Sequence, residues 1–313
     1  MTDATPPAPL YPPYPPPPLA EVARPPRKWL GPKGGWLVFL GMTVFWLFNV
    51  LYDQFALHHL ALSPNSLILG GFGMTGALIY TLAYRLRPAD GISVVRLLLA
   101  FLLGGLFATE LAVMIEGPLV SFVLASNPHA TLITESVAGV IEELCKIAAV
   151  VVAARGLAVK SARNGLFMGG AVGLGFAAFE DMKYAAASLS TPLLGHSGLG
   201  SVIGVTFGRD LFGPFEHPVL TALFAAALFA ATRNGRYRIT LTVVGVYLGV
   251  AVIHGLIDSL PALVALGTGG GIGLTGQLPG AILSIVVIIG IDIVWLVYSR
   301  RLRRSTLDAE TVG

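Results

Sequence analysis

Four short patterns carry side chains that could transfer protons or hold a metal. In Glu142-Glu143-Leu-Cys-Lys146 the ammonium lies four residues after one carboxylate and three after the other, so either can share its helix face. Phe176, Glu180 and Tyr184 follow at four-residue spacing, one acid between two aromatics on one face. Arg209 leads to Glu216-His217-Pro218, where Arg209 can pair with Asp210 or Glu216. His254 and Asp258 are again four apart, so the carboxylate can accept from the imidazole and fix its tautomer. Each pattern has an ordinary structural reading as a neutralised pair or a packing contact. That reading leaves one glutamate of the first pattern, and Glu180, without a purpose.

Glutamates and two histidines facing one cavity can activate a water. In one scheme a glutamate takes the water's proton while the histidines orient it and stabilise the oxyanion. In another, Glu180, His217 and His254 hold zinc with an open fourth position and Glu142 is the base. The HExxH pattern of soluble zinc proteases is absent.

Positioning these groups falls to apolar helices. The 313 residues are 55% hydrophobic and 12% charged, with a mean hydropathy of +0.77. That is half the charge of an ordinary globular surface. Runs of about 20 apolar residues suit a bilayer instead. Eight are found, at 35–52, 66–84, 94–115, 136–154, 165–187, 213–231, 240–259 and 278–299. The expected fold is all-α, a polytopic membrane helix bundle of about eight transmembrane helices with a polar site among helices 4–7. Glycines 165, 169, 170, 173 and 175 predict close helix packing in the fifth span.

Seventeen of the twenty Lys and Arg fall in the tails and in alternate connections, and none near 53–65, 116–135 or 260–277. Basic residues stay on the cytoplasmic side, so both termini are expected there. Residues 1–34 hold twelve prolines and no apolar signal core, and read as an extended disordered tail. Residues 35–299 form the transmembrane domain, with a motif-bearing core at 136–259, and 300–313 a basic tail. One cysteine, Cys145, excludes an internal disulfide. The net charge of +3 says little about nucleic acid, since where the charges lie matters more; the expected partner is the lipid bilayer, with no nucleic acid expected.

This topology puts the patterns at one level. Glu142, Glu143, Glu180, His217 and His254 each lie four to seven residues from the outer end of their span. At 1.5 Å per residue that is roughly 6–10 Å below the outer surface. Ionisable groups at such depth are costly and mark function by default. A shared wet cavity open to the outside accounts for the agreement. Glu110 lies near the same level and could line it; for Asp292, deeper, a helix-packing hydrogen bond is the expectation.

The motifs Glu142-Glu143-x-x-Lys146, Phe176-x-x-x-Glu180 with Tyr184, Arg209 leading to His217, and His254-x-x-x-Asp258 resemble, in order, those of the PrsW family of intramembrane proteases. That family is related to the CAAX prenyl endopeptidases and the bacteriocin-processing membrane proteases. The resemblance covers about residues 135–260. It implies site-1 cleavage of a single-pass membrane protein, such as an anti-sigma factor, on the extracytoplasmic side of a bacterial-type cytoplasmic membrane. It also implies Glu142 or Glu143 as the catalytic carboxylate, with Glu180, His217 and His254 completing the site. Lys146, Phe176, Tyr184, Arg209 and Asp258 would support them. CAAX-type relatives would have histidine where Glu180 stands, a departure that points away from prenyl-protein processing and leaves zinc dependence open. Two rival readings exist: a proton-coupled transporter or channel using intramembrane Glu and His, and a scaffold in which the polar cluster only locks helices together.

Overall fold

The computed structural model describes residues 34–56, 63–81, 91–124, 127, 130–188, 199–269 and 274–312. The proline-rich leader expected over 1–34 lies outside these, apart from Gly34.

The described residues contain no strand and form eight helical rods in chain order. They are α1 (Gly34–Leu51, continued by a π turn, Tyr52–Ala56), α2 (Pro64–Thr81), and α3 (Val94–Leu102, a π segment Leu103–Ala108, then Thr109–Leu124). The others are α4 (Ala130–Ala153), α5 (Ala162–Ala187), α6 (Leu199–Ala230), α7 (Leu241–Thr268) and α8 (Leu274–Val312). Among the described residues four stretches are long and apolar enough to cross a membrane by length and composition: Gly34–Ala56, Val94–Phe122, Leu241–Thr268 and Gly276–Leu302. A shorter apolar helix covers Phe215–Ala230. The chain is a polytopic helical membrane protein, with large apolar side chains such as Trp36, Val95, Phe122 and Val252 facing outward.

Helix starts follow side-chain chemistry. Ser93, Ser161 and Thr240 cap α3, α5 and α7 by accepting from the backbone N–H three residues on. Gly269 ends α7 in the left-handed conformation, at φ 68°, which only glycine adopts freely. In the π segment of α3, Thr109 Oγ1 donates to Gly104 O at 3.1 Å.

One end of the bundle is basic. Arg96 Nη1 donates to Arg155 O at 2.9 Å, joining the start of α3 to the α4–α5 turn. Lys160 Nζ donates to Gly235 O at 2.7 Å, joining that turn to the α6–α7 hairpin. An apolar core including Val150, Ala153, Leu157, Phe229 and Val243 fills the bundle at this end.

Helix α6 departs from the expected 213–231 by starting at Leu199. Its extra turns pack on α1 and α2: Val202 is buried with Trp46 and Val50, and Phe207 meets the Trp46 ring edge-on at 5.6 Å. That burial carries the helix through Gly204, Gly208 and Gly213, which alone read as breakers. At 32 residues α6 is about 48 Å long, more than the ~30 Å hydrocarbon layer, so it must tilt or project beyond it.

The glycine-rich face of α5 lies directly on α6. A Cβ on Gly173 would stand 2.5 Å from His217 O and 2.6 Å from Pro218 Cα, so only glycine permits this approach. Gly165 and Gly169 meet α6 in the same way, Gly175 meets α3, and Gly170 faces open space.

Candidate active site

The tight α5–α6 contact and the α4–α7 contact, where Tyr247 OH donates to Val140 O at 3.0 Å, bring the four motifs together. At their centre stands Lys146, fully buried. Its ammonium reaches Glu142 Oε2 at 3.1 Å, Glu143 Oε1 at 2.9 Å and His217 Nδ1 at 3.0 Å, and sits 4.0 Å from the centre of the Phe176 ring. A buried cation needs such pairing, because desolvating it alone would cost several kcal/mol.

The two glutamates are used differently. Glu143 Oε1 takes Lys146 and His254 Nδ1, the latter at 3.1 Å, and its Oε2 takes Thr221 Oγ1 at 3.2 Å. Both oxygens are engaged and the residue is fully buried. Glu142 instead lines a cavity of about 610 Å³. Its charged walls come from Glu116, Glu135, Glu142, Glu180, Lys183, Arg209 and Asp258, and its apolar walls from residues such as Val113, Leu119, Ile285 and Ile288. Six helices, α3 to α8, contribute.

Arg209 binds Glu180 and Asp181 together, each at 2.5 Å, and lies 4.0 Å over the Tyr184 ring. Among the described residues its ion-pair partners are the two acids of α5 and not Glu216; the Asp210 side chain lies outside the described ones. Glu180 Oε2 in turn meets His217 Nε2 at 2.9 Å. Because Lys146 can only donate to Nδ1, Nε2 carries the His217 proton and donates it to Glu180. Both nitrogens of His217 are therefore spoken for.

His254 is the opposite case. Its Nδ1–H goes to Glu143, which leaves the Nε2 lone pair facing Asp258 Oδ2 at 3.4 Å, Glu142 Oε2 at 3.5 Å and Glu216 Oε1 at 3.8 Å. None of these is a hydrogen bond, and among the described residues His254 Nε2 and Glu216 Oε1 are buried without a hydrogen-bond partner. A lone pair and three carboxylate oxygens pointing at one place suit a positive charge between them. Two N/O ligands held about 2.0–2.2 Å from a tetrahedral zinc lie about 3.3 Å apart, close to the separations around His254 Nε2. The donor set fits a divalent cation. It differs from the expected trio of Glu180, His217 and His254, since Glu180 and His217 hydrogen-bond to each other. Among the described residues two groupings place one ligand atom from each residue within 4.8 Å: Glu142, His217 and His254, and Glu216, His254 and Asp258.

The structure thus gathers all ten expected residues at one site. Spacing offered Glu216 only as a partner for Arg209; it reaches the site together with His217 because His254 stands close to both. Thr221, one turn beyond His217, was a findable signal. Glu116 and Glu135 stood at the edges of apolar runs. Glu110 pairs with Lys183 at 2.7 Å on the exposed rim and is not a cavity wall. Among the described residues Asp292 Oδ1 has no hydrogen-bond partner, so the packing bond expected for Asp292 is not seen at that oxygen.

Comparison with known proteins agrees with the motifs. A family model described as "PrsW family intramembrane metalloprotease" matches residues 93–291. No curated protein and no solved structure matches the chain.

Proposed function

The chain belongs to the PrsW family of intramembrane metalloproteases, and from that premise we propose that it hydrolyses a peptide bond of a single-pass membrane protein near the extracytoplasmic face, with Glu142 as general base. The observation that carries the assignment is the contrast between the glutamates. Glu142 borders the cavity where a substrate and a water can enter, whereas Glu143 has both oxygens occupied by protein donors.

Glu142 accepts a proton from the attacking water, and the water oxygen bonds to the scissile carbonyl carbon. Arg209, on the cavity wall, offers positive charge to the oxyanion that forms. The C–N bond then breaks as Glu142 returns the proton to the leaving nitrogen. Glu143, Lys146 and Thr221 act behind this step, since Glu143 fixes the His254 tautomer. Glu180 and Arg209 hold His217 in place from the other side. A divalent cation, zinc being one candidate, would polarise the water and the carbonyl; His254 and Asp258 would help to hold it. The basic end of the bundle lies opposite the cavity, which supports cytoplasmic termini and a cut on the far side. A membrane-bound regulator such as an anti-sigma factor is the type of substrate that the motif resemblance implies.

The test is cleavage of a panel of tagged single-pass proteins in reconstituted vesicles. We expect wild type to cut at least one member and Glu142→Gln to lose more than 100-fold in rate. A Glu142→Gln variant that cuts at the wild-type rate would remove Glu142 as the base.

A further inference from the structure

Within this peptidase reading, on which the inference rests, one buried acid has no part in the motifs. Glu216 is 7% exposed, and its Oε1 meets no hydrogen-bond donor among the described residues. A carboxylate in such a place is costly unless something positive compensates it. Lys146 is already shared by Glu142, Glu143 and His217, and Arg209 by Glu180 and Asp181. Neither cation has an ion pair with Glu216. What Glu216 does face is His254 Nε2, itself buried and unpartnered, with Asp258 Oδ2 on the same nitrogen.

We propose that Glu216 is a ligand of a divalent cation, which it holds together with His254 and Asp258. Three points converge on this assignment. The three ligand atoms lie within 4.8 Å of one another. The His254 tautomer set by Glu143 turns the Nε2 lone pair toward both carboxylates. Asp258 lines the cavity and is 33% exposed at its side chain, so an ion has a way in and a bound water has a place to sit. Seating the ion here leaves Glu142, 3.5 Å from the same nitrogen, free to act as base beside it. A seat formed by Glu180 and His217 would instead have to break their 2.9 Å hydrogen bond and compete with Arg209. One imidazole lone pair binds one ion, so this seat holds one.

The experiment measures zinc itself, on the full chain purified in detergent and stripped by chelator. Zinc affinity is read by competition with a chromophoric chelator, and melting temperature with and without zinc. Wild type should bind one zinc and gain melting temperature from it. Glu216→Gln should weaken binding by more than the roughly 10–100-fold lost with an outer-shell partner. Without zinc the same variant should melt no lower than wild type, because a like charge has left a crowded acidic site. Glu216→Asp should recover part of the affinity, and Glu180→Gln and Glu110→Gln should keep most of it. Wild-type affinity in Glu216→Gln, or a larger loss in Glu180→Gln than in Glu216→Gln, would overturn the assignment while leaving the peptidase reading intact. A lower melting temperature for zinc-free Glu216→Gln would mark a structural role instead. A wild type that cleaves but binds no zinc would overturn the assignment and metal dependence together; one that binds zinc but cleaves nothing would bear against the peptidase reading alone.

Discussion

Glu142 and Glu143 are adjacent in the chain and have opposite surroundings, which separates chemistry from structure one residue at a time. Glu143→Gln removes the charge that Lys146, His254 and Thr221 all engage. Hydrogen bonds to a buried charged group are worth about 1.5–3 kcal/mol. The variant should therefore melt several degrees lower and also lose activity, because the His254 tautomer is no longer fixed. Glu142→Gln should lose activity with little change in melting temperature, since fewer protein donors depend on it. Differential scanning fluorimetry beside the vesicle assay reads both; equal destabilisation by the two would mean that Glu142 is a structural brace as well. Arg209→Lys keeps the charge but not the fork that spans Glu180 and Asp181. It should lower kcat at least tenfold in the same assay. The motif residues were legible in the sequence because acids and histidines are rare in apolar runs. The division of labour between the glutamates was not, because it depends on Thr221 and His254 arriving from helices α6 and α7.

At the scale of elements, the apolar runs gave the number and order of the helices, and eight rods follow the eight expected spans. The start of α6 was illegible for a physical reason: its first three turns are held by burial against Trp46 and by Arg209 reaching α5, and neither contact is local in sequence. The glycines of α5 predicted close packing but not which partner each would meet. The structure sorts them, and that sorting is testable. Gly173→Ala puts a methyl into the α6 backbone beside His217, so the two helices must part. Activity should fall more than tenfold with a clear loss of melting temperature. Gly170→Ala meets nothing within 4 Å and replaces a poor helix former by the best, a gain of up to about 1 kcal/mol. It should leave activity unchanged and melt at or above wild type. A neutral Gly173→Ala would show that the α5–α6 interface has slack that this geometry does not allow.

Across the whole molecule, charge and packing are polarised along the bundle axis. Arg96 and Glu116 lie on one continuous rod, twenty residues and so about 30 Å apart, close to a hydrocarbon thickness. The first is tied into the basic end and the second lines the cavity. Between the polar site and the basic end lies apolar core. A cavity lined at the end away from the basic loops suits a protease whose product leaves on that side. The orientation can be read directly, because the native Cys145 is buried and adds little background. Thr268→Cys, exposed at the end of α7 away from the hairpin, and Arg238→Cys, exposed in the hairpin itself, report the two faces. A membrane-impermeant maleimide added to intact spheroplasts should label Thr268→Cys at once and Arg238→Cys only after permeabilisation. The reverse pattern would turn the cavity toward the cytoplasm. The carboxylates and His254 would keep their geometry, but the substrate would then have to present its cleavage site from the inside, and the extracytoplasmic cut would have to be abandoned.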